Sequence, residues 1–151
     1  MGSGVREGEV TSQAGWAADT PRAELAAVVS ALVKDGVRVS IFVDAEPDPI
    51  RWAKDLGAQR VELFTEPFAR AFERGPDAAR QSFEHFARAA ELAHELGLGV
   101  NAGHDLDRLN LPLFRKLPHL DEVSIGHALV SDALFEGLES AVRSYLAALA
   151  G

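Results

Sequence analysis

Two histidines in this sequence follow short apolar runs that end in a small residue and a glycine. His104 follows Val100-Asn101-Ala102-Gly103, and His127 follows Ser124-Ile125-Gly126. Each run comes after one predicted helix and before another, which places both histidines at the carboxyl ends of successive strands. In parallel sheets, open or closed, ligands bind and reactions occur at that edge. The repeat predicts an active-site edge of βα-barrel type, with phosphate among its candidate ligands.

The residue types at these two strand ends suit acid–base chemistry and anion binding. An imidazole titrates near neutrality, so His104 could protonate a leaving hydroxyl; the alternative is a histidine that bonds the loop after it. Gly126 would let backbone N–H groups approach an oxyanion, and a final helix predicted from residue 128 would add its positive end. A phosphate site is therefore predicted at Gly126 and His127.

The composition is that of one globular domain. The chain has 151 residues, of which 47% are hydrophobic and 25% charged, and a net charge of -8. The negative charge argues against nucleic-acid or acidic-membrane partners, and the lack of cysteine excludes disulfides and thiolate metal sites. Met1 to Gly4 resemble a leader added for expression. We expect a cytoplasmic enzyme domain without a membrane span or signal peptide.

Helical and strand patterns alternate along the chain. Residues 5–20 are predicted to form a loop, and residues 21–151 a domain in which a helix precedes each of four strands. The strands are expected near residues 37–43, 60–65, 98–102 and 122–125. A last amphipathic helix is predicted over residues 128–149, with a buried stripe of Leu134, Leu138, Val142, Tyr145 and Leu149. This alternation predicts an α/β fold with a parallel sheet.

Four strands leave two architectures open. A closed βα barrel needs eight strands and roughly 250 residues. The chain is therefore either a small open α/β sheet or half of a (β/α)8 barrel with two unpaired sheet edges. In the second case it must associate with another half.

Five motifs occur in the order and spacing of a known family. They are Glu9-Val10-Thr11, Val39-Ser40-Ile41-Phe42-Val43-Asp44-Ala45, Val61-Glu62-Leu63-Phe64-Thr65, Val100-Asn101-Ala102-Gly103-His104 and Ser124-Ile125-Gly126-His127-Ala128-Leu129. On these motifs the chain resembles the carboxyl-terminal half of pyridoxine 5′-phosphate synthases, from the loop after the fourth barrel strand onward. The resemblance implies half of a TIM-type barrel and a part in vitamin B6 biosynthesis.

The resemblance also implies a reaction and two catalytic residues. The family condenses 3-amino-2-oxopropyl phosphate with 1-deoxy-D-xylulose 5-phosphate, and no cofactor is expected. His104 resembles the proton donor of the family. Glu62 resembles a glutamate that assists proton transfers or stabilises a transition state; the alternative is a solvent-facing carboxylate.

Four residues resemble the family's substrate contacts. Thr11 resembles a threonine that contacts the deoxyxylulose phosphate, although a flexible loop threonine is the simpler interpretation. Gly126 and His127 resemble the pair that binds the phosphate of the aminoketone. Asp105 stands where the family commonly has a glycine that touches substrate phosphate, and a carboxylate there is unfavourable unless it turns away.

The resemblance covers only part of the family's active site. The acid–base groups and arginines of the amino-terminal half have no counterpart in this sequence. We therefore expect the isolated chain to be inactive or nearly so. Its expected partners are phosphorylated small molecules or inorganic phosphate, and a second copy of the chain or a complementary amino-terminal half-barrel. A self-associating, non-catalytic half-barrel and a small phosphate-binding α/β protein remain as alternatives. No metal is predicted, since the acidic clusters are explained by loops and helix starts.

Overall fold

The computed structural model describes residues 14–151, and its centre is a four-stranded parallel sheet. Neighbouring strands pair in chain order, so each helical connection returns the chain to the adjacent position in the sheet. The strands are β1 (Ser40–Val43), β2 (Arg60–Phe64), β3 (Gly99–Gly103) and β4 (Leu120–Ser124). The predicted fold class, four parallel strands alternating with helices as in half of a barrel, is confirmed.

Helices lie before, between and after the strands. They are α1 (Arg22–Lys34), α2 (Pro47–Asp55), α3 (Glu66–Glu73), α4 (Pro76–Glu95), α5 (Leu111–Phe114), α6 (His127–Glu136) and α7 (Leu138–Ala150). Four of them, α2 to α5, carry proline at the first or second position, where its missing N–H leaves no helical hydrogen bond unmade. Proline therefore marks where most of the connecting helices begin.

One face of the sheet is apolar and forms the core. Val61, Leu63 and Val100 are fully buried, and Trp52 of α2 and Phe86 of α4 belong to the same hydrophobic cluster. Burying an aliphatic or aromatic side chain of this kind contributes roughly 1.5–3 kcal/mol to stability. The helices thus cover this face and hold the sheet in place.

The opposite face of the sheet is largely polar. Phe42, Glu62, Asn101 and Glu122 are register partners on the four strands, so their side chains share that face. In a closed barrel the face away from the helices is the interior. The polar face of this sheet therefore corresponds to the interior of a barrel.

The ends of the strands differ from the prediction by one to three residues. Residues 37–39 precede β1, although the pattern placed them in the strand, and β4 begins at Leu120 rather than at residue 122. The pairing of β3 with β4 shifts between Val100 and Asn101, so that β4 contains one additional residue at this point. The alternation of apolar and polar residues in the sequence does not reveal such a local irregularity.

The single final helix predicted over residues 128–149 is wrong. Gly137 adopts φ +85°, which ends α6, and α7 begins at the next residue. The predicted buried stripe is therefore also wrong for Leu134 and Leu138, which are 81% and 63% exposed, and for Val142, which is exposed. Tyr145 is buried as expected. The break shifts the helical phase, so a stripe extrapolated through it no longer faces the core.

The two outer edges of the sheet differ. Trp16 N–H donates to the Phe42 carbonyl at 2.8 Å and Gly15 N–H donates to Asp44 Oδ1 at 3.0 Å, so the segment before α1 covers part of the β1 edge. Within residues 14–151, β3 is the only strand that pairs with β4. Within residues 14–151, β1 and β4 are therefore the two edge strands that the sequence predicts, and the segment before α1 adds one backbone hydrogen bond to the β1 edge.

No helix within residues 14–151 is long and apolar enough to cross a membrane.

Candidate active site

A wide cleft of about 1450 Å³ lies at the carboxyl ends of the strands. Side chains from the strands, from the loops after them and from α3 line it. Of the residues predicted to form the site, Glu62, His104, Asp105, Gly126 and His127 all line this cleft. Three strand ends and the loops that follow them therefore bring together residues that are 65 positions apart in the sequence.

His104 occupies an unusual backbone conformation directly after β3. Its φ is +93° and that of Asp105 is +56°, two consecutive residues in a region that side chains other than glycine rarely adopt. The Thr65 hydroxyl donates to the His104 carbonyl, and Thr65 N–H donates to the Gly103 carbonyl at 3.0 Å. Buried Thr65 thus holds the turn that directs the histidine into the cleft.

The ring of His104 is packed against Phe64 and lies near a carboxylate. The two rings meet edge to face, with centroids 4.9 Å apart. Nδ1 of the imidazole is closed to solvent and lies 3.3 Å from Asp105 Oδ1, while the side chain as a whole keeps 23% of its surface exposed. The exposed atoms of the ring are therefore those on the edge away from Nδ1.

Glu62 extends along its own strand toward the same end of the sheet. Its Oε1 lies so close to Gly103 that a β-carbon there would fall 2.4 Å away. Arg60, two residues earlier on the same face, instead donates to Asn101 Oδ1 and Asp121 Oδ2, both at 2.8 Å. The basic and acidic side chains of β2 therefore lie toward opposite ends of the polar face, and Glu62 lies at the end that forms the cleft.

Gly126 and His127 form the amino-terminal end of α6 in the cleft wall. Gly126 has φ -109°, and a β-carbon added to it would meet no atom within 4 Å. Val130 N–H donates to the Gly126 carbonyl at 2.9 Å, so the helical hydrogen bonds begin there. The N–H groups of the first turn have no intrahelical partner, and together with the helix dipole they suit an anion.

The cleft is negatively charged. Its lining includes five carboxylates and one guanidinium, that of Arg70; the carboxylates are those of Glu62, Glu66, Glu73, Asp105 and Asp107. A hydrogen bond from Arg70 Nε to Glu66 Oε1 at 2.7 Å, with the Coulomb attraction of the same carboxylate, raises the pKa of Arg70. Because Arg70 is already paired, the α6 end and His127 are the most favourable place for an anion.

The family model and the individual relatives that match this chain point to the same family. The model of the family described as pyridoxal phosphate biosynthesis protein PdxJ matches residues 5–151. The chain belongs to the PdxJ family. The pyridoxine 5′-phosphate synthase of Cytophaga hutchinsonii is 48% identical over 138 residues, which are 91% of this chain and 57% of that protein. That of Leptospira biflexa is 46% identical over 147 residues, or 96% of this chain and 56% of that protein.

The match covers nearly all of this chain but only part of each relative. This chain spans a little over half the length of the curated PdxJ relatives it matches, and a third relative, from Bacteroides thetaiotaomicron, is covered to the same extent, 57%. The family resemblance drawn from the five motifs is confirmed. The roles predicted for individual PdxJ residues in this chain stay predictions, and Thr11 lies outside the described residues.

Three contributors to this PdxJ cleft were given no role in the site from the sequence. Thr65 fixes the backbone of His104, and Phe64 packs against its ring. Arg70 is the guanidinium of the cleft lining. A threonine that ends a strand beside a histidine loop is a weak signal, and Arg70 four residues after Glu66 has the spacing of an ordinary surface ion pair.

Within residues 14–151, no group of three or more histidine, aspartate or glutamate side chains is arranged to hold a metal ion. Asp44, in the acidic segment after β1, accepts the hydrogen bond of Gly15. Glu46 lies 3.3 Å from His85. These partners give two of the acidic residues there structural contacts.

Proposed function

We propose that this chain is the carboxyl-terminal, four-stranded part of a pyridoxine 5′-phosphate synthase and becomes active when an amino-terminal half completes the barrel. One observation carries the proposal: Glu62, His104, Gly126 and His127, which match the family's motifs, line one cleft at the carboxyl edge of the sheet. The two relatives of that name described above are 48% and 46% identical to most of this chain.

Each of these residues has a role that suits its position. His104 donates a proton to a leaving oxygen from the exposed edge of its ring. Glu62, whose carboxylate lies against Gly103 next to His104, stabilises the positive charge that develops during imine formation and proton transfer. Gly126 and His127, at the start of α6, bind the phosphate of the aminoketone.

The charge of the cleft explains why a second half is needed. Two phosphorylated substrates would meet five carboxylates and one paired guanidinium, so the completing half must supply cations. It must also supply further acids and bases, each of which contributes roughly 10²–10⁴-fold to the rate. The exposed edge of β4 gives the completing half a strand to pair with. We expect the isolated chain to have little or no activity.

A second candidate function is self-association without catalysis. Five large apolar side chains of α6 and α7 are more than half exposed: Val130, Leu134, Phe135, Leu138 and Leu146. Large apolar side chains exposed on two helices that contact each other are typical of protein–protein contact surfaces. A symmetric pair of copies would cover them but would duplicate the groups of one half-site, so this candidate predicts an oligomer that binds phosphate and makes no product.

A complementation assay tests the proposal. The purified chain is incubated with both phosphorylated substrates, alone and with the part of the Cytophaga hutchinsonii protein that it does not cover, and pyridoxine 5′-phosphate is followed by mass spectrometry. We expect product only from the mixture, lost with His104→Ala and retained with His94→Ala, an exposed histidine on α4 outside the cleft.

Three outcomes oppose the proposal. Equal product from the chain alone and from the mixture would mean that the half-barrel builds a complete site. Full product from the mixture with His104→Ala would remove the histidine from the mechanism. A mixture that assembles, as judged by size, and makes no product would favour the non-catalytic alternative.

A further inference from the structure

Asp105 is the residue of the cleft whose role the family resemblance leaves in doubt, and the structure places it against His104. Its Oδ1 lies 3.3 Å from His104 Nδ1. We propose that Asp105 is a positioning residue, which accepts a hydrogen bond from Nδ1–H of His104 and so leaves Nε2 to exchange a proton with a ligand in the cleft. This replaces the expected role of Asp105 as a phosphate contact.

The state of Nδ1 is the first support. This atom is shielded from solvent and has no hydrogen bond of good geometry within residues 14–151. A buried polar nitrogen without a partner costs about 1–3 kcal/mol, so the ring gains by placing its N–H toward the nearest acceptor. The nearest charged acceptor is the Asp105 carboxylate. Hydrogen bonds of catalytic groups are often long before a ligand binds and shorten in the complex.

The backbone that presents the pair is the second support. The Thr65 hydroxyl donates to the carbonyl of His104, and Asn110 Nδ2 donates to the carbonyl of Asp105 at 3.0 Å. Both donors are on buried side chains. Asn110 Oδ1 in turn accepts from Asp107 N–H at 3.0 Å. Two side chains from different loops therefore fix two consecutive residues at positive φ, an arrangement that costs energy and is typical of functional sites.

The surroundings of the carboxylate are the third support. Arg70 is near enough for Asp105 to raise its pKa, yet the hydrogen bonds of Arg70 go to Glu66. In the described part of the chain, the ion-pair contact of Asp105 is with His104. The carboxylate is therefore available to the imidazole. A carboxylate on one ring nitrogen sets the tautomer and orients the ring, as in other histidine–carboxylate pairs.

The catalytic consequence rests on the proposed function, while the pairing itself does not. With Nδ1–H held by Asp105, Nε2 alone takes up a proton and then delivers it to the leaving oxygen. The imidazolium returns to the neutral ring in that step, and the proton ends on the departing water. The carboxylate remains ionised throughout and offsets the positive charge of the imidazolium.

Nitrogen NMR of the imidazoles tests the pairing on the intact chain without any substrate. At about pH 9, well above the ordinary pKa of an imidazole, long-range ¹H–¹⁵N spectra report which ring nitrogen of His104 carries the proton. We expect the proton on Nδ1 in the unmodified chain. In Asp105→Gly we expect the signals to move toward the other tautomer. Glycine tolerates φ +56°, so the loop keeps its shape in this variant.

A matched control and two opposing outcomes complete the test. Glu73→Gln removes another carboxylate of the cleft lining, so the His104 tautomer should not change. A proton on Nε2 of His104 in the unmodified chain would overturn the pairing, as would identical spectra for Asp105→Gly. The unmodified spectrum decides the question even if the variant folds poorly. Because no turnover is measured, failure of complementation leaves this test intact.

The complemented enzyme provides a second readout. With the pairing established by NMR, Asp105→Gly should lower kcat roughly tenfold and leave KM unchanged, because the proton donor is retained and only its orientation is lost. A raised KM with unchanged kcat would instead assign Asp105 to substrate binding and overturn the positioning role.

Discussion

The carboxylate of Glu62 lies against the α-carbon of Gly103 on the neighbouring strand. A β-carbon at position 103 would fall 2.4 Å from Glu62 Oε1 and 3.1 Å from the carbonyl oxygen of Ser124. Glycine at this position therefore allows close approach of its neighbours, and it is not needed for backbone conformation, because Gly103 is not among the residues with positive φ. Its small size lets Glu62 reach the end of β3 where His104 begins.

Replacing Gly103 with alanine should destabilise the fold by about 1–3 kcal/mol, the usual cost of adding volume to a tightly packed site. Urea unfolding of Gly103→Ala measures this free energy. The same substitution in a Glu62→Ala background should cost less, since the nearer of the two obstructing oxygens is gone. Gly126→Ala is the matched control, because its new methyl meets no atom within 4 Å. Equal costs in both backgrounds would show that Glu62 does not occupy this space in solution.

Gly126→Ala should instead weaken phosphate binding. Its φ of -109° suits alanine, so we expect unfolding free energy to change by less than about 0.5 kcal/mol. The added methyl enters the open space in front of the α6 amino terminus, and affinity for inorganic phosphate measured by calorimetry should fall about tenfold, equivalent to roughly 1.4 kcal/mol. Unchanged affinity in a folded variant would place the anion elsewhere in the cleft.

If copies of the chain associate through α6 and α7, as the second candidate function requires, Phe135→Glu should shift that association toward the monomer. Phe135 is 92% exposed on α6, and a carboxylate at this position cannot be buried against a second copy without a large desolvation cost. Analytical ultracentrifugation over a range of concentrations measures the effect. Gln81→Glu makes the same change of charge at an exposed position of α4 and should leave the association unchanged. If both variants associate as the parent does, the α6–α7 surface is not the contact.

Tyr145 makes stability depend on pH in the alkaline range. Burial, and then the hydrogen bond to Asp132, raises the pKa of Tyr145 from 10.0 to about 12. The unfolded chain therefore loses this proton first, so the stabilisation is complete below pH 10 and is lost as the pH rises toward 12. The loss should approach about 3 kcal/mol, because a pKa difference of about 2 corresponds to roughly 1.4 kcal/mol for each pKa unit.

Tyr145→Phe isolates this contribution. The variant should be about 1 kcal/mol less stable at neutral pH, since it loses the hydrogen bond to Asp132. Between pH 10 and 12 its unfolding free energy should decrease less than that of the parent. Parallel pH profiles for the two proteins would mean that another group titrates in this range.

Much of the architecture could be predicted because the signals are local. Alternating helix and strand patterns separated by glycine and proline predict a parallel α/β sheet, and β-branched runs such as Ser40–Val43 mark the strands. Prediction failed where one residue changed the phase. Gly137 divides the last helix through a positive φ, and nothing in the surrounding apolar pattern distinguishes it from a glycine tolerated within a helix.

The sequence by itself determined the family, the parallel order of the strands and the placement of His104 and His127 at strand ends, because each depends on motifs or periodicities within a few residues. The tertiary structure alone decided which side chains meet. It put Asp105 beside His104 Nδ1, Thr65 beneath the histidine loop and Glu62 over Gly103. These contacts depend on the register of neighbouring strands and on backbone dihedrals at strand ends. Neither the register nor the dihedrals produce a periodic pattern in the amino-acid sequence.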